Sequence, residues 1–265
     1  NTLLFLGLSL IPLMLMGKFA YENGQQAIKK NLGSTFQQLA HARIENAEQR
    51  FGDVYKAVEH WSQMSIMQEV LTGDMDAAIQ SFLMDISKEN KDFTYVTVIG
   101  PQGGVVASTR PEMLEKDFRG TESFNNYIQA GNAQISDVHY SDISKAWEIT
   151  FSFPIKAAFE KDKVVGVLLA GWNAATLSRM MRSSTGEEIK GKDKSNHFML
   201  MRNDGLIIAA PEFEQHDVFK VNLIERGLRS ALLASRKHEG YLVERDEHDA
   251  ESLIGYDYAR GQKDF

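Results

Sequence analysis

From about Gln25 to Leu71 the sequence runs without a proline and reads as nearly unbroken helix, and no other feature limits the fold as much. At 1.5 Å per residue such a helix is about 65–70 Å long, enough to run beside two stacked small domains. Its apolar side is a narrow seam. Ala40, Ile44, Ala47, Phe51, Val54, Val58 and Trp61 follow one another in alternating steps of four and three, the spacing of one helical face. Glu45, Glu48, Arg50, Asp53, Lys56 and Glu59 lie between them and belong in water. Two uses of the seam are open: a coiled-coil contact with a second copy, or packing against the chain's own β-rich part.

The residues ahead of the helix, Thr2 to Gly17, carry no charge. A membrane-spanning helix needs about 20 apolar residues, and this run is slightly short of that. A signal peptide has a similar apolar core, but Gly17-Lys18-Phe19-Ala20 leads into the helical pattern without a small-x-small cleavage site. The chain begins with Asn1 and is read as cut from a longer parent. The expectation is an uncleaved transmembrane helix over residues 1–20, with a signal peptide or a buried helix as its rivals, and then a stalk helix over residues 21–72.

Beyond the stalk, Thr72-Gly73-Asp74 breaks the rod and caps a second helix from Met75 to Lys88, with Ala77-Ala78, Phe82 and Ile86 inward. Strand character begins at Phe93, and Pro101-Gln102-Gly103-Gly104 makes a turn. Arg110 to Asn132 mixes short helix and loop. Three strands then follow, near Gln134–Tyr140, Trp147–Ile155 and Lys163–Gly171. A shift of 102 positions lays Pro101-Gln102-Gly103 on Asn203-Asp204-Gly205 and Val105-Val106-Ala107 on Ile207-Ile208-Ala209 without a gap. Gly131 and the strand after it are echoed by Gly240 and Tyr241–Arg245, and Trp147–Ile155 by Leu253–Ala259. Lys163–Gly171 has no echo before Phe265, so the second lobe is read as truncated, with a second membrane span beyond it. The resulting organisation is an α+β chain: residues 73–182 form one antiparallel-sheet lobe, Ser183–Lys194 is a linker, and residues 183–265 form an incomplete second lobe.

Composition and motifs remove several functions. A net charge of -7 over 265 residues implies no basic face and no nucleic-acid partner. The chain has no cysteine, hence no disulfide frame and no thiolate metal site or nucleophile. It carries no Gly-x-Ser-x-Gly elbow, no phosphate-cradling glycine loop and no His-Glu-x-x-His pair, so this segment is read as non-enzymatic. His238, Glu239, Glu244, Asp246, Glu247, His248, Asp249 and Glu251 could in principle hold a cation, but a solvated hairpin turn is the better reading. His139 is read as structural. No metal and no cofactor is expected.

The succession of LSLIPLMLMG, QQLAHARIENAEQRFGDVYKAVEHW, VIGPQGGVVAS, DFRGTESFNNYIQAGNAQISDVHYSD, ITFSFPI and VVGVLLAGWNAATLSRM resembles the double Cache sensor regions of bacterial transmembrane receptors. The resemblance covers nearly the whole chain. It implies two PAS-like antiparallel lobes, one distal from the membrane and one proximal, serving as the ligand-binding input of a chemoreceptor, histidine kinase or nucleotide cyclase. The amino-acid-binding branch of that family implies an arginine for the ligand carboxylate, an adjacent tryptophan-tyrosine pair, a tyrosine-x-aspartate and an aspartate on the fifth strand. The chemistry is bidentate guanidinium–carboxylate pairing at one end and carboxylates around an ammonium at the other. Here the arginine position falls on Glu122, the aromatic pair on Phe124-Asn125 and the strand aspartate on Gly171, while Tyr140 and Asp142 match. A standard α-amino acid is therefore not the expected ligand.

The candidate ligand-binding residues are Tyr140, Asp142, Arg119, Phe124, Tyr127 and Trp147, each with a plainer alternative. Tyr140 and Asp142 could simply close a strand-end turn. Arg119 could be a solvated surface residue. Phe124 and Tyr127 suit core packing, as does Trp147, in phase with Ile149 and Phe151. Gly171 either leaves room beside the pocket or ends a strand. The expected function is small-molecule sensing by a membrane-bound receptor at the bacterial cell membrane, the sensing part periplasmic or extracellular. A stalk-mediated homodimer is a further expectation. The alternative is a tethered binding module without signalling output.

Overall fold

The computed structural model describes residues 2–121, 124–125, 128, 131–160, 163–182, 197–245 and 251–261. The expected linker Ser183–Lys194 and the acidic turn Asp246–Asp249 lie outside the described residues. Two compact units form. One, the sheet unit, takes Gln49–His197 and Ile208–Pro211; the other, the hairpin unit, takes Asn1–Glu48, Phe198–Ile207 and Glu212–Phe265. The long helix α1 (Thr2–Gln63) contributes residues to each.

Thr2–Gly17 forms the beginning of α1, and Lys18 and Glu22 follow before the run reaches the length of a span. No helix among the described residues is long and apolar enough to cross a membrane. Helical character was expected to Leu71, but α1 ends at Gln63 because Met64 is extended; Ser65–Leu71 continues as a 3-10 turn that buries Met67 and Val70. Local i→i+3 bonding carries the same sequence signal as a helix end. The next helix, α2 (Ala78–Glu89), starts later than expected, because Ala77 adopts a left-handed conformation. Asp74 does the capping: its Oδ1 accepts from the Ile79 amide at 2.8 Å and its Oδ2 from the Gln80 amide at 2.9 Å. The inward row is Ile79, Leu83 and Ile86; Ile86 is as expected, while Ile79 and Leu83 take the places read for Ala77-Ala78 and Phe82.

The sheet unit is built on β1 (Phe93–Ile99), β2 (Val105–Ser108), β3 (Gln134–Ile135), β4 (His139–Ser141), β5 (Ala146–Lys156) and β6 (Val164–Asn173). All pairings are antiparallel, in the order β2-β1-β6-β5-β3, with β4 also on β5. One strand was expected over Gln134–Tyr140. It is broken at Ser136–Val138, where Ser136 Oγ accepts the Thr150 amide and Asp137 Oδ1 the Val138 amide, so side chains replace ladder bonds. One sheet face packs on the helix through Phe51–Phe151 and Tyr55–Phe153, with ring centroids 5.1 and 4.8 Å apart, and through Trp61–Phe93 at 5.3 Å. Of the two uses open to the seam, Phe51, Val54, Val58 and Trp61 are spent inward on this unit's own core.

A further helix, α3 (Ala175–Arg182), follows β6 in the sheet unit. β7 (Leu200–Met201) pairs with β8 (Ile207–Ala209). In the hairpin unit β9 (Gly240–Arg245) pairs with β10 (Glu251–Tyr256), beside the short helix α4 (Arg229–Ser235). The turns placed 102 residues apart in the sequence have the same wiring. Gly100 and Gly103 amides donate to the Gly104 and Gly100 carbonyls, as Arg202 and Gly205 amides donate to those of Leu206 and Arg202. Gly103 and Gly205 both need positive φ, +85° and +95°.

Candidate ligand site

Strand alternation decides which side chains meet on the sheet face away from the helix. Thr150, Gly171 and Tyr95 lie across from one another on β5, β6 and β1, followed by Ser152, Leu169 and Thr97, then Pro154, Val167 and Ile99. Most of this face is covered: Tyr95, Ile99, Val167 and Leu169 are buried together with Met113 and Phe124, and Phe118, Ile128 and Ile143 pack on them. The upper end is polar. Tyr95 Oη stands 3.3 Å from Thr150 Oγ1. The Thr94 hydroxyl donates to Glu148 Oε2 at 2.7 Å, with the Gly171 carbonyl also in reach at 3.0 Å. Arg110 Nε donates to the Thr94 carbonyl at 2.9 Å and fixes that residue.

Glu148 is the acid at the centre of this end, its side chain 1% exposed. Ser144, from the β4–β5 turn, donates a second hydroxyl bond to Oε2 at 2.7 Å. Oε1 faces His139 Nε2 at 3.8 Å, beyond hydrogen-bond distance. His139 Nδ1 lies 3.1 Å from the Asp137 carbonyl and 3.3 Å from Ser136 Oγ. A carboxylate out of water is expensive unless it is paired and hydrogen-bonded.

The residues predicted from sequence are placed as follows. Phe124 is buried on the same face as Tyr95 and Leu169. Tyr140 and Trp147 stack edge to face with centroids 5.8 Å apart, half-exposed, on the opposite sheet face from His139 and Glu148, because strand neighbours alternate. Asp142 is exposed in the β4–β5 turn, 3.7 Å from Lys145 Nζ. Arg119 is exposed and bound to Asp117 at 2.5 Å; that hydrogen bond holds the Asp117 carboxyl below the usual carboxylate range and raises the guanidinium. Tyr127 lies outside the described residues. The room read beside Gly171 is already filled: a Cβ there would stand 2.5 Å from both Thr94 Oγ1 and the Tyr95 ring.

Glu148, Thr94, Ser144 and Thr150 were missed. In WEITFSF the apolar row is Trp147, Ile149, Phe151 and Phe153, and the alternate row is Glu148, Thr150 and Ser152, which reads as a water-facing edge. The signal was the company it keeps, since the neighbouring strand KVVGVLLAG is apolar on both faces and so lies at the middle of a sheet. One acidic group elsewhere has a structural duty. Glu69, Asp74 and Asp76 lie together before α2, where Asp74 caps the helix and Asp76 Oδ1 accepts the Ala78 amide at 3.3 Å.

A long helix backing an antiparallel sheet, with a polar nest buried on the sheet's far face, defines an α+β ligand-binding module. The chain belongs to the Cache domain family, whose model matches residues 24–263. No curated protein matches it in sequence. Among solved structures it is similar to the sensory domain of the Campylobacter jejuni chemoreceptor Tlp3 (CcmL) with isoleucine bound: 12% identity over 89% of each chain, TM-score 0.59. It is likewise similar to the ligand-binding domain of the Pseudomonas aeruginosa PAO1 amino acid chemoreceptor PctC in complex with GABA: 14% identity over 89% of this chain and 95% of that one, TM-score 0.56. The extracellular domain of the putative histidine kinase mmHK1S-Z3 matches at 12% identity over 92% of this chain and 91% of that one, TM-score 0.51. Cache domains are extracytoplasmic sensor modules of membrane receptors that bind small ligands and carry no catalysis of their own.

Proposed function

We propose that this chain is the input domain of a bacterial signalling receptor, anchored in the cell membrane through the start of α1, with its sensing part periplasmic or extracellular. The ligand is a small organic molecule bound on the far face of the sheet unit, which is the membrane-distal lobe, and it is not a standard α-amino acid. The observation that carries this reading is the built polar nest around Glu148, set above an apolar wall of Tyr95, Phe124 and Leu169. Asp142 sits in the β4–β5 turn with Ser144, Tyr140 and Trp147 lie on the other sheet face, and Arg119 and Tyr127 belong to the stretch on either side of Phe124. Tlp3 binds isoleucine and PctC binds GABA, which supports a small ligand for this chain as well. A homodimer through α1 is part of the proposal; Ile28, Leu32 and Leu39 keep exposed apolar side chains for it.

The test is a thermal-shift screen of the purified chain against carboxylic acids, amines, amino acids, purines and sugars. A ligand at a hundred times its dissociation constant, binding the native state alone, adds about 2.7 kcal/mol and raises the melting temperature visibly. A hit abolished by Phe124→Ala supports the site. Silence across the panel, or a preference for standard α-amino acids, sinks the corresponding part of the proposal.

A further inference from the structure

We infer that His41 is a proton-operated clasp between α1 and the chain after β10, and that through it the hairpin unit registers the surrounding pH as an input of its own. β10 and the residues after it follow α1 closely. Lys29 Nζ meets Glu251 at 3.7 Å, a Cβ on Gly255 would stand 2.3 Å from the Phe36 backbone, and the Gly261 amide donates to Glu48 Oε1 at 2.7 Å. His41 closes the middle of this contact. Its Nε2 faces Glu45 Oε1 at 3.4 Å on its own helix, and its Nδ1 faces Asp257 Oδ2 at 2.6 Å and Arg260 Nη1 at 2.8 Å on the chain after β10. Glu239, just ahead of β9, takes the other side of Arg260, whose guanidinium lies over the Tyr258 ring.

One nitrogen cannot serve both of its neighbours. Nδ1 donates to Asp257 when it carries a proton and accepts from Arg260 when it does not. A neutral ring has a single N–H and can address Glu45 or Asp257, whereas an imidazolium addresses both at once. Protonation therefore changes which residue ties the chain to α1. In the neutral ring with its proton toward Glu45, Arg260 is the link, bonded to Nδ1 and reaching Asp257 Oδ2 at 3.3 Å. In the charged ring Asp257 is bonded directly, and Arg260, now beside a like charge, is left to Asp257 and Glu239. Two acids and one arginine meet the ring among the described residues, so the charged form gains more than it loses and the clasp is tighter in acid. The Asp257 side chain is withdrawn from water, which protects the contact from the screening that weakens a surface pair.

Hydrogen exchange of the full chain in nonionic detergent tests this, read by mass spectrometry as protection of the backbone amides of residues 251–261, each rate referred to its intrinsic value at that pH. From about pH 8 to about pH 5.5, across the range in which an imidazole ordinarily takes up its charge, protection of this segment rises in the parent chain. The rise is about 3–10-fold, between the scale of a surface ion pair and that of a hydrogen bond to a buried charge. The extra hold is present at the acid end and lost at the alkaline end. His41→Gln, which suits a helix and takes no charge, shows no such rise. Arg260→Gln separates the clasp from a general effect of acid. Its coupling to His41→Gln in a double-mutant cycle is favourable near pH 8 and unfavourable near pH 5.5, because the arginine is a partner of the neutral ring and a like charge beside the charged one. A parent response under about 2-fold, within the error of such comparisons, overturns the inference. So does a rise that persists in His41→Gln, or a coupling of one sign at both pH values.

Discussion

Two carboxylates with side chains equally withdrawn from water, each 1% exposed, are treated differently by the two units. In the hairpin unit Asp257 Oδ2 lies 2.6 Å from His41 Nδ1 and 3.3 Å from Arg260 Nη1, and Arg260 also engages Glu239. In the sheet unit Glu148 has two neutral hydroxyls at 2.7 Å and His139 Nε2 at 3.8 Å. The sheet unit does pair acids with cations elsewhere: Asp92 receives Arg50 at 2.9 Å and Arg179 at 2.5 Å. The arrangement at Glu148 is therefore local. A buried acid that tightens α1 against its own unit is held by an arginine at close range, and Glu148 is held by hydroxyls at close range with His139 farther off.

The largest expected effect is at Asp257. Replacing it with alanine strips His41 and Arg260 of their shared partner, and both are partly exposed, so water recovers some of the loss. Asp257→Ala is expected to cost about 1.5–3 kcal/mol in urea unfolding. A loss under about 0.5 kcal/mol, within the range of an ordinary surface substitution, would mean that the network contributes little, and the contrast with Glu148 would lose its reference.

Asp92 sharpens the comparison through its pH dependence. Burial pushes its carboxyl up, but the hydrogen bonds from Arg50 and Arg179 outweigh that and hold it below the ordinary range. A folded-state value below the unfolded one means that the stabilisation is fully present above the unfolded value, near pH 3.9, and is lost as pH falls through the lower folded value. Asp92→Asn is expected to cost about 1–2 kcal/mol at neutral pH. The difference from the parent chain should shrink as pH falls below the unfolded value, near pH 3.9, and disappear below the lower folded value. A difference that does not shrink in acid would show that the carboxylate's charge is not what Arg50 and Arg179 are reading.

What could be read in the sequence divides along the same line. The repeated turn was legible because Gly103 and Gly205 are demanded locally, by backbone conformation and by chain passing close to each: Arg119 beside one, Asn222 and Ile224 beside the other. The seam of the long helix was legible as apolar, but nothing in its spacing says whether Phe51 meets a second copy or Phe151. The site was the least legible part. Phe124 was legible as a buried aromatic, as its core-packing reading has it. Glu148 was not, because a strand's polar row looks the same whether water or another layer covers it, and the layer comes from residues such as Met113 and Phe124 that are distant in sequence. At Gly171 the sequence suggested open room, but Thr94 and Tyr95 occupy that space and an acid, Glu148, stands on the neighbouring strand.

The smallest expected effect tests the idea most directly. Glu148→Gln keeps the shape and lets Oε1 of the amide accept the Thr94 and Ser144 protons, while its NH₂ can donate toward His139 Nε2. Removing a desolvated charge offsets whatever the altered hydrogen bonds lose. Stability in the absence of ligand should therefore change by less than about 1 kcal/mol at neutral pH, as expected when a buried charge is replaced by a neutral group that fits. Asp257→Ala and Glu148→Gln would then differ in cost although their side chains are equally buried. A loss of about 2–3 kcal/mol at Glu148 would mean that the acid already holds a cation in the resting protein, with protonated His139 the nearest source, and that the nest is a structural ion pair.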